Sequence, residues 1–309
     1  MRSRWVLVVF LLPTFTRAQI DDQGDTITNV YQLGELVIRG NAEGLDLEGF
    51  MHQVMEDTSF QHAFLNTRYH AHRLRSNFRV RNKGEKETAT LFREAHLQRT
   101  GPDARLVLDS VSESGKLRDG KGGFRFLTAE MYDEVFFPKG QWRADNTIRA
   151  HREQAKPQGR IAEYKSELKQ FMFSPGQEIA SVPFVGRKLA LYDPDLVGLY
   201  DHTIGTDARS GHLCWKFAST AKDEGSNSTV IKRMVTWFDQ STMQVIAREY
   251  RIQHGSILLD FDIRIRVENT IVDDELVPTT VHYDGDWDIP LKKRELVRFQ
   301  LDYSDWSVE

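Results

Sequence analysis

Ile257-Leu258-Leu259-Asp260-Phe261-Asp262-Ile263-Arg264-Ile265-Arg266-Val267 alternates along its length: Ile257, Leu259, Phe261, Ile263, Ile265 and Val267 fall on one side, and Asp260, Asp262, Arg264 and Arg266 on the other. Successive side chains of a strand point to opposite faces, so this run predicts a strand with one apolar and one ionic face. The same habit extends in both directions. Upstream, Leu213, Trp215 and Phe217, then Ile231, Val235 and Trp237, then Ile246, Tyr250 and Ile252 each mark a strand face. Downstream, Val277, Val281 and Tyr283, then Val297, Phe299, Leu301 and Tyr303 continue it. Turn residues fit between the runs at Asp239 to Thr242, His254-Gly255, Asp273-Asp274 and Gly285 to Pro290. Six strands joined by short turns make an antiparallel meander.

An apolar sheet face must be covered, and the sequence supplies helices earlier in the chain. Leu47, Phe50, Met51, Val54 and Met55 follow helical spacing behind Asp46, a candidate N-cap, and Thr58 is placed to start a second helix with Phe60, Phe64 and Leu65. A further helical stripe runs through Ile161, Tyr164, Leu168, Phe171 and Met172. Between these helices Tyr69 to Arg81 alternates, with His70, His72, Leu74, Phe78 and Val80 opposed to Arg73, Arg75, Arg79 and Arg81. Residues 87–98, 104–112, 123–127 and 133–137 are also strand-like, with turns at Gly101-Pro102 and Gly120 to Gly123. The expected fold is α+β: a strongly curved antiparallel sheet, a half-barrel, with helices packed on its concave side.

The N-terminus has the grammar of a secretory signal peptide. Arg2 and Arg4 precede an apolar run from Trp5 to Phe15, and Thr16-Arg17-Ala18 provides a cleavage site before Gln19. That run is too short to cross a bilayer as a helix, so no transmembrane helix is expected after cleavage. The expected organisation is a signal peptide at 1–18, a flexible arm at 19–45 carrying one strand around Tyr31 to Arg39, and one domain over 46–309 with a long crossover at about 138–200. Cleavage leaves 38 basic against 45 acidic residues, a formal charge of about −7, so no global basic field points to a dedicated nucleic-acid binder. The only cysteine, Cys214, excludes an intramolecular disulfide and a cysteine-rich zinc site.

Short motifs with chemical potential are each read more simply. His70-x-His72 shares a strand face without a third metal ligand nearby. Asp284-x-Asp286-x-Asp288 lacks the glycine and distal glutamate of a calcium loop and is read as a solvated turn. Gly120-Lys-Gly-Gly123 lacks the Ser or Thr and the strand-to-helix setting of a phosphate loop. Cys214 alternates with Trp215 on a strand and is read as a buried side chain rather than the partner of His202 or His212. Asn227-Ser-Thr229 has the form of a glycosylation acceptor. No catalytic residue, metal or cofactor is expected. The one concentrated charge feature is the stripe Arg73, Arg75, Arg79 and Arg81, aided by Arg68, which is either a solvated face that discourages edge pairing or a surface that meets an acidic partner, such as another envelope protein, or lipid headgroups.

Trp237-Phe-Asp239-Gln-Ser-Thr242, running into Val245-Ile-Ala-Arg248, and the later Asp273-Asp-Glu-Leu-Val-Pro278-Thr resemble the hairpins of the bacterial periplasmic lipoprotein-localisation-factor superfamily, over about residues 200–303. The resemblance implies a half-barrel with helices as a lid around an apolar cavity, in the periplasm of a Gram-negative bacterium. The function expected on this basis is a non-enzymatic binding or envelope-assembly protein that holds a lipid or lipoprotein acyl chain. Its candidate hydrophobic wall is Trp215, Phe217, Trp237, Tyr250, Phe261 and Ile263 from the sheet, with Phe50 and Phe64 from the lid. The alternatives are a scaffolding protein with a filled core, which recognises its partner through the arginine stripe, and an envelope hydrolase.

Overall fold

The computed structural model describes residues 29–33, 36–147, 175, 187–256, 260–288 and 293–308. The predicted signal peptide, the helix expected at 160–172 and most of the crossover lie outside the described residues. Seven strands follow one another in the second half: β7 (Tyr200–Arg209), β8 (His212–Ala221), β9 (Ile231–Asp239), β10 (Val245–Gly255), β11 (Asp260–Val272), β12 (Glu275–Asp288) and β13 (Glu295–Ser307). The first half adds β3 (Ala71–Arg81), β4 (Glu87–Thr100), β5 (Asp103–Gly115) and β6 (Gln141–Arg143). The hairpin β1 (Asn29–Leu33) and β2 (Leu36–Gly40) completes a curved, unclosed sheet in the order β1-β2-β7-β8-β9-β10-β11-β12-β13-β3-β4-β5-β6. Every pairing is antiparallel except that of β2 with β7.

Alternation decides which face is covered. In β3 the residues His72, Leu74, Ser76, Phe78 and Val80 are buried, and in β11 Phe261, Ile263, Ile265 and Val267. Three helices lie on this apolar face: α1 (Leu47–Glu56), α2 (Ser59–Asn66) and α3 (Leu127–Phe136). Asp46 caps α1 as expected, its Oδ1 accepting from the Gly49 amide at 3.2 Å. Phe50 of α1 sets its ring edge-on to Phe217 and Phe238, at centroid distances of 5.8 and 5.3 Å. Tyr132 and Phe136 of α3 meet Phe299 at 5.2 and 5.6 Å. A fourth, one-turn helix, α4 (Pro194–Val197), leads into β7 and is capped by Asp193.

Several local expectations change. Residues 123–127 and 133–137, read as strands, belong to a turn and to α3. The physical reason lies outside the segment, in the carboxylate of Glu295 that starts the helix. The strand expected around Tyr31 to Arg39 is a two-stranded hairpin, whose second strand lies parallel to β7 with Ile38 opposite His202. Gly40 makes this approach possible: its φ is +140°, and a Cβ there would sit 1.8 Å from the Ile204 carbonyl oxygen. The turn expected from Gly285 is strand, because β12 continues to Asp288. The three aspartates of that region share the polar face of β12, where Arg298 pairs with Asp284 and Arg294 with Asp286. Between Val272 and Glu275, Asp273 and Asp274 both take positive φ, 48° and 68°, which is the turn a tight hairpin requires.

Candidate functional site

The sheet has two chemically opposite faces, and each presents a candidate site. On the apolar face Phe50, Phe64, Phe217, Tyr250, Phe261 and Ile263 are all buried in the main core, and Trp215 packs against it half-buried. Their rings meet other rings: Phe50 meets Phe217, Phe64 meets Phe60 at 5.4 Å, and Phe261 meets Trp287 at 5.2 Å. Trp237 does not belong with them. It lies directly opposite Lys216 on the other face, in a smaller cluster with Cys214, Val235 and Ala247. There its indole N–H donates to Asp207 at 3.0 Å and the Arg209 guanidinium lies over its ring. A register shift between β9 and β10 explains the misassignment: Arg251 faces Arg233 while Ile252 faces Ile231, so Lys232 is extra and alternation reverses there.

The polar face carries a groove of about 690 Å³ that spans β9, β10, β11, β12, β13 and β3. Eight cationic side chains, among them Arg79, Arg81, Arg233, Arg251, Arg264 and Arg298, line it and outnumber the six carboxylates of Glu85, Glu87, Glu224, Glu249, Asp262 and Asp284 that line it or pair with them, so its field favours an anion. The predicted arginine stripe contributes only its lower half to this groove. Arg73 instead pairs with Asp305 at 3.2 Å and Arg75 with Glu94 at 3.2 Å. Arg68 is not part of the stripe: it donates to the Val135 carbonyl at 3.1 Å and lies over Trp142.

The candidate catalytic groups are occupied structurally. Burial, with help from Asp239, pushes the Cys214 thiol up to about 11, which keeps it protonated at neutral pH. The His212 ring faces Asp239 at 2.7 Å. Burial raises the Asp239 carboxyl, but hydrogen bonds from Ser241, Thr242 and His212 outweigh it and hold the group well below the usual carboxylate range. Asp239 thereby organises the β9–β10 turn. His202 bonds to Ser219 at 2.9 Å within the core. Among the described residues no group of three or more His, Cys, Asp or Glu is placed to hold a metal, and no helix is long and apolar enough to cross a membrane.

His72 gives a pH dependence. Its ring stacks on Trp306 at 4.4 Å and lies within 2.9 Å of the His70 carbonyl, and burial lowers its pKa to about 4 from 6.5. Between these values the unfolded chain binds a proton that the folded chain does not, so stability falls as pH drops from about 6.5 to about 4. Urea midpoints measured across that window should decline, and His72→Gln should flatten the decline. An unchanged slope in the variant would assign it to other groups.

An open, mostly antiparallel sheet with helices on one face and a cationic groove on the other defines a class: a helix-covered β-sheet protein whose described residues form no metal-ligand cluster. Neither a family model nor a curated protein sequence matches the chain. Among solved structures it is similar to a DUF1329 family protein from Desulfovibrio piger, at 13% identity over 82% of this chain and 93% of that one, with a TM-score of 0.25. It is also similar to a putative outer membrane lipoprotein-sorting protein domain from Vibrio parahaemolyticus, at 10% identity over 81% and 91%, with a TM-score of 0.26. A LolA superfamily protein from Nitrosomonas europaea shares 13% identity over 82% and 94%, with a TM-score of 0.24. Overlap at this level leaves the role of the chain to its own geometry.

Proposed function

We propose that the chain is an exported, non-catalytic binding protein of a Gram-negative periplasm that holds a lipid, or the acyl chain of a lipoprotein, against the apolar face of its sheet. The supporting observation is how that face is covered. Seven consecutive strands turn aromatic and aliphatic side chains toward three separate helices of ten, eight and ten residues, not toward a second sheet. A helix of that length docks by one stripe and can lift as a unit. An acyl chain entering beneath α1 would take the place of Phe50 between Phe217 and Phe238, with Trp215, Tyr250, Phe261, Ile263 and Phe64 as the surrounding wall. Each methylene buried contributes about 0.8 kcal/mol, so ten contribute on the order of 8 kcal/mol before ordering costs. No covalent step is required.

The ring contacts of Phe50, Phe64 and Phe261 favour a second reading, a filled core with recognition confined to the polar face. Native mass spectrometry of the protein extracted gently from an envelope fraction separates the two. Co-purified lipid masses, displaced by a fluorescent fatty acid, are the expected result. A bare chain that also fails to take up the fatty acid would leave the filled-core reading in place.

A further inference from the structure

Strand register gathers the charges of the groove into one row. Across β9, β10, β11, β12, β13 and β3 the directly opposed residues are Arg233, Arg251, Arg264, Asp284, Arg298 and Arg79. Five guanidiniums and one carboxylate therefore stand on a line crossing six strands, roughly 24 Å long at the usual strand spacing. Like charges directly opposite one another oppose pairing, and the row holds three such contacts: Arg233 with Arg251, Arg251 with Arg264, and Arg298 with Arg79.

Carboxylates relieve this unevenly. Asp262 accepts from Arg251 at 2.9 and 2.8 Å, Asp284 from Arg298 at 2.9 Å, and Glu87 from Arg79 at 2.9 Å. Arg264, in contrast, is 3.8 Å from Asp262 and 61% exposed, and Arg233 has no carboxylate within 4.0 Å among the described residues. The excess charge therefore sits at Arg233 and Arg264, about two strand spacings or 10 Å apart, with Arg251 fixed between them. Protection against edge pairing does not explain the row, because all six strands are interior to the sheet.

A carboxylate brings a single charge on two oxygens, whereas a phosphate monoester brings about two charges on three terminal oxygens, enough to accept from two neighbouring forks at once. We propose that this groove binds an elongated polar ligand carrying two or more phosphate groups, seated along the arginine row with phosphates at Arg233 and Arg264. The site is on the face opposite the proposed acyl-chain site and does not depend on it. A phosphorylated lipid headgroup and a soluble phosphorylated sugar share the required chemistry.

Calorimetric titration of the full mature chain with inositol hexakisphosphate and with inorganic phosphate tests the site, alongside sedimentation with phosphatidylcholine vesicles with and without phosphatidylinositol bisphosphate. One inositol hexakisphosphate per chain should bind, weaken with salt, and exceed inorganic phosphate in affinity by a wide margin. Arg233→Ala and Arg264→Ala, at exposed and weakly paired positions, should each weaken it roughly tenfold or more, with circular dichroism unchanged. Arg73→Ala, off the row, should leave it intact. Vesicle binding lost in the same two variants would identify a headgroup as the source, and binding of the soluble probe alone a free sugar phosphate. Absence of binding to every probe, or binding that survives both substitutions, would overturn the proposal.

Discussion

Asp57→Ala is expected to lower the urea midpoint sharply, with a loss of about 3–5 kcal/mol. Asp57 sits at the corner between α1 and α2 with its side chain 2% exposed. One carboxylate oxygen accepts from the Ser59 amide at 3.0 Å and the Ser59 hydroxyl at 2.6 Å, and the other faces Arg248 Nη2 at 3.4 Å. Arg248 rises from β10 on the apolar face, donates from Nε to the Thr236 hydroxyl at 3.1 Å, and lies 4.4 Å from the centre of the Phe60 ring. Without Asp57 this guanidinium stays buried and loses its countercharge, which is the costly half of breaking an interior ion pair. Asp57→Ala with Arg248→Met removes both charges and fills the volume, so it should recover most of the loss. A double variant no more stable than the single one would assign the loss to the Ser59 contacts instead.

The pair also shows what a sequence conceals. Arg248 follows the alternation of β10 onto the apolar side, yet its partner lies 191 positions away, so nothing local distinguishes it from a solvated arginine. The second-half strands were legible because each repeats a period of two over many residues, and α1 was legible from a clean stripe behind a capping aspartate. β7 was missed because its inward residues include His202 and it contains Gly205 and Thr206, which dilute the alternation. The bulge at Lys232 reversed the face of Trp237, because one extra residue inverts every side chain beyond it. On the polar face, the alternation alone places Arg264 and Arg298 outward. What no single strand reveals is register, and register is what brings Arg233, Arg251, Arg264, Arg298 and Arg79 into one row.

Glu295→Ala should cost about 3 kcal/mol or more and loosen α3 first, seen as faster amide exchange at Leu127 and Thr128 before global unfolding. The helix begins at a phenylalanine, Phe126, whose side chain provides no cap. Its first donors are answered instead from the start of β13: Glu295 accepts from the Leu127 amide at 2.7 Å, the Thr128 amide at 2.9 Å and the Thr128 hydroxyl at 2.8 Å. A buried carboxylate at a helix N-terminus satisfies orphan amides and opposes the positive end of the helix dipole together. Alanine leaves those donors buried without an acceptor, whereas Glu295→Gln keeps one oxygen and should lose only about 1 kcal/mol. The damage should spread along the helix, because Asp133 holds Arg93 at 2.7 Å and Tyr132 packs on Phe78 and Phe299. If exchange at Leu127 and Thr128 stayed as slow as in the parent, those amides would have another acceptor and Glu295 would not be what starts α3. That long-range contact is also why the strand-like residues of Leu127–Phe136 fold as a helix: the acceptor that answers its first amides lies 168 positions downstream, at the start of β13.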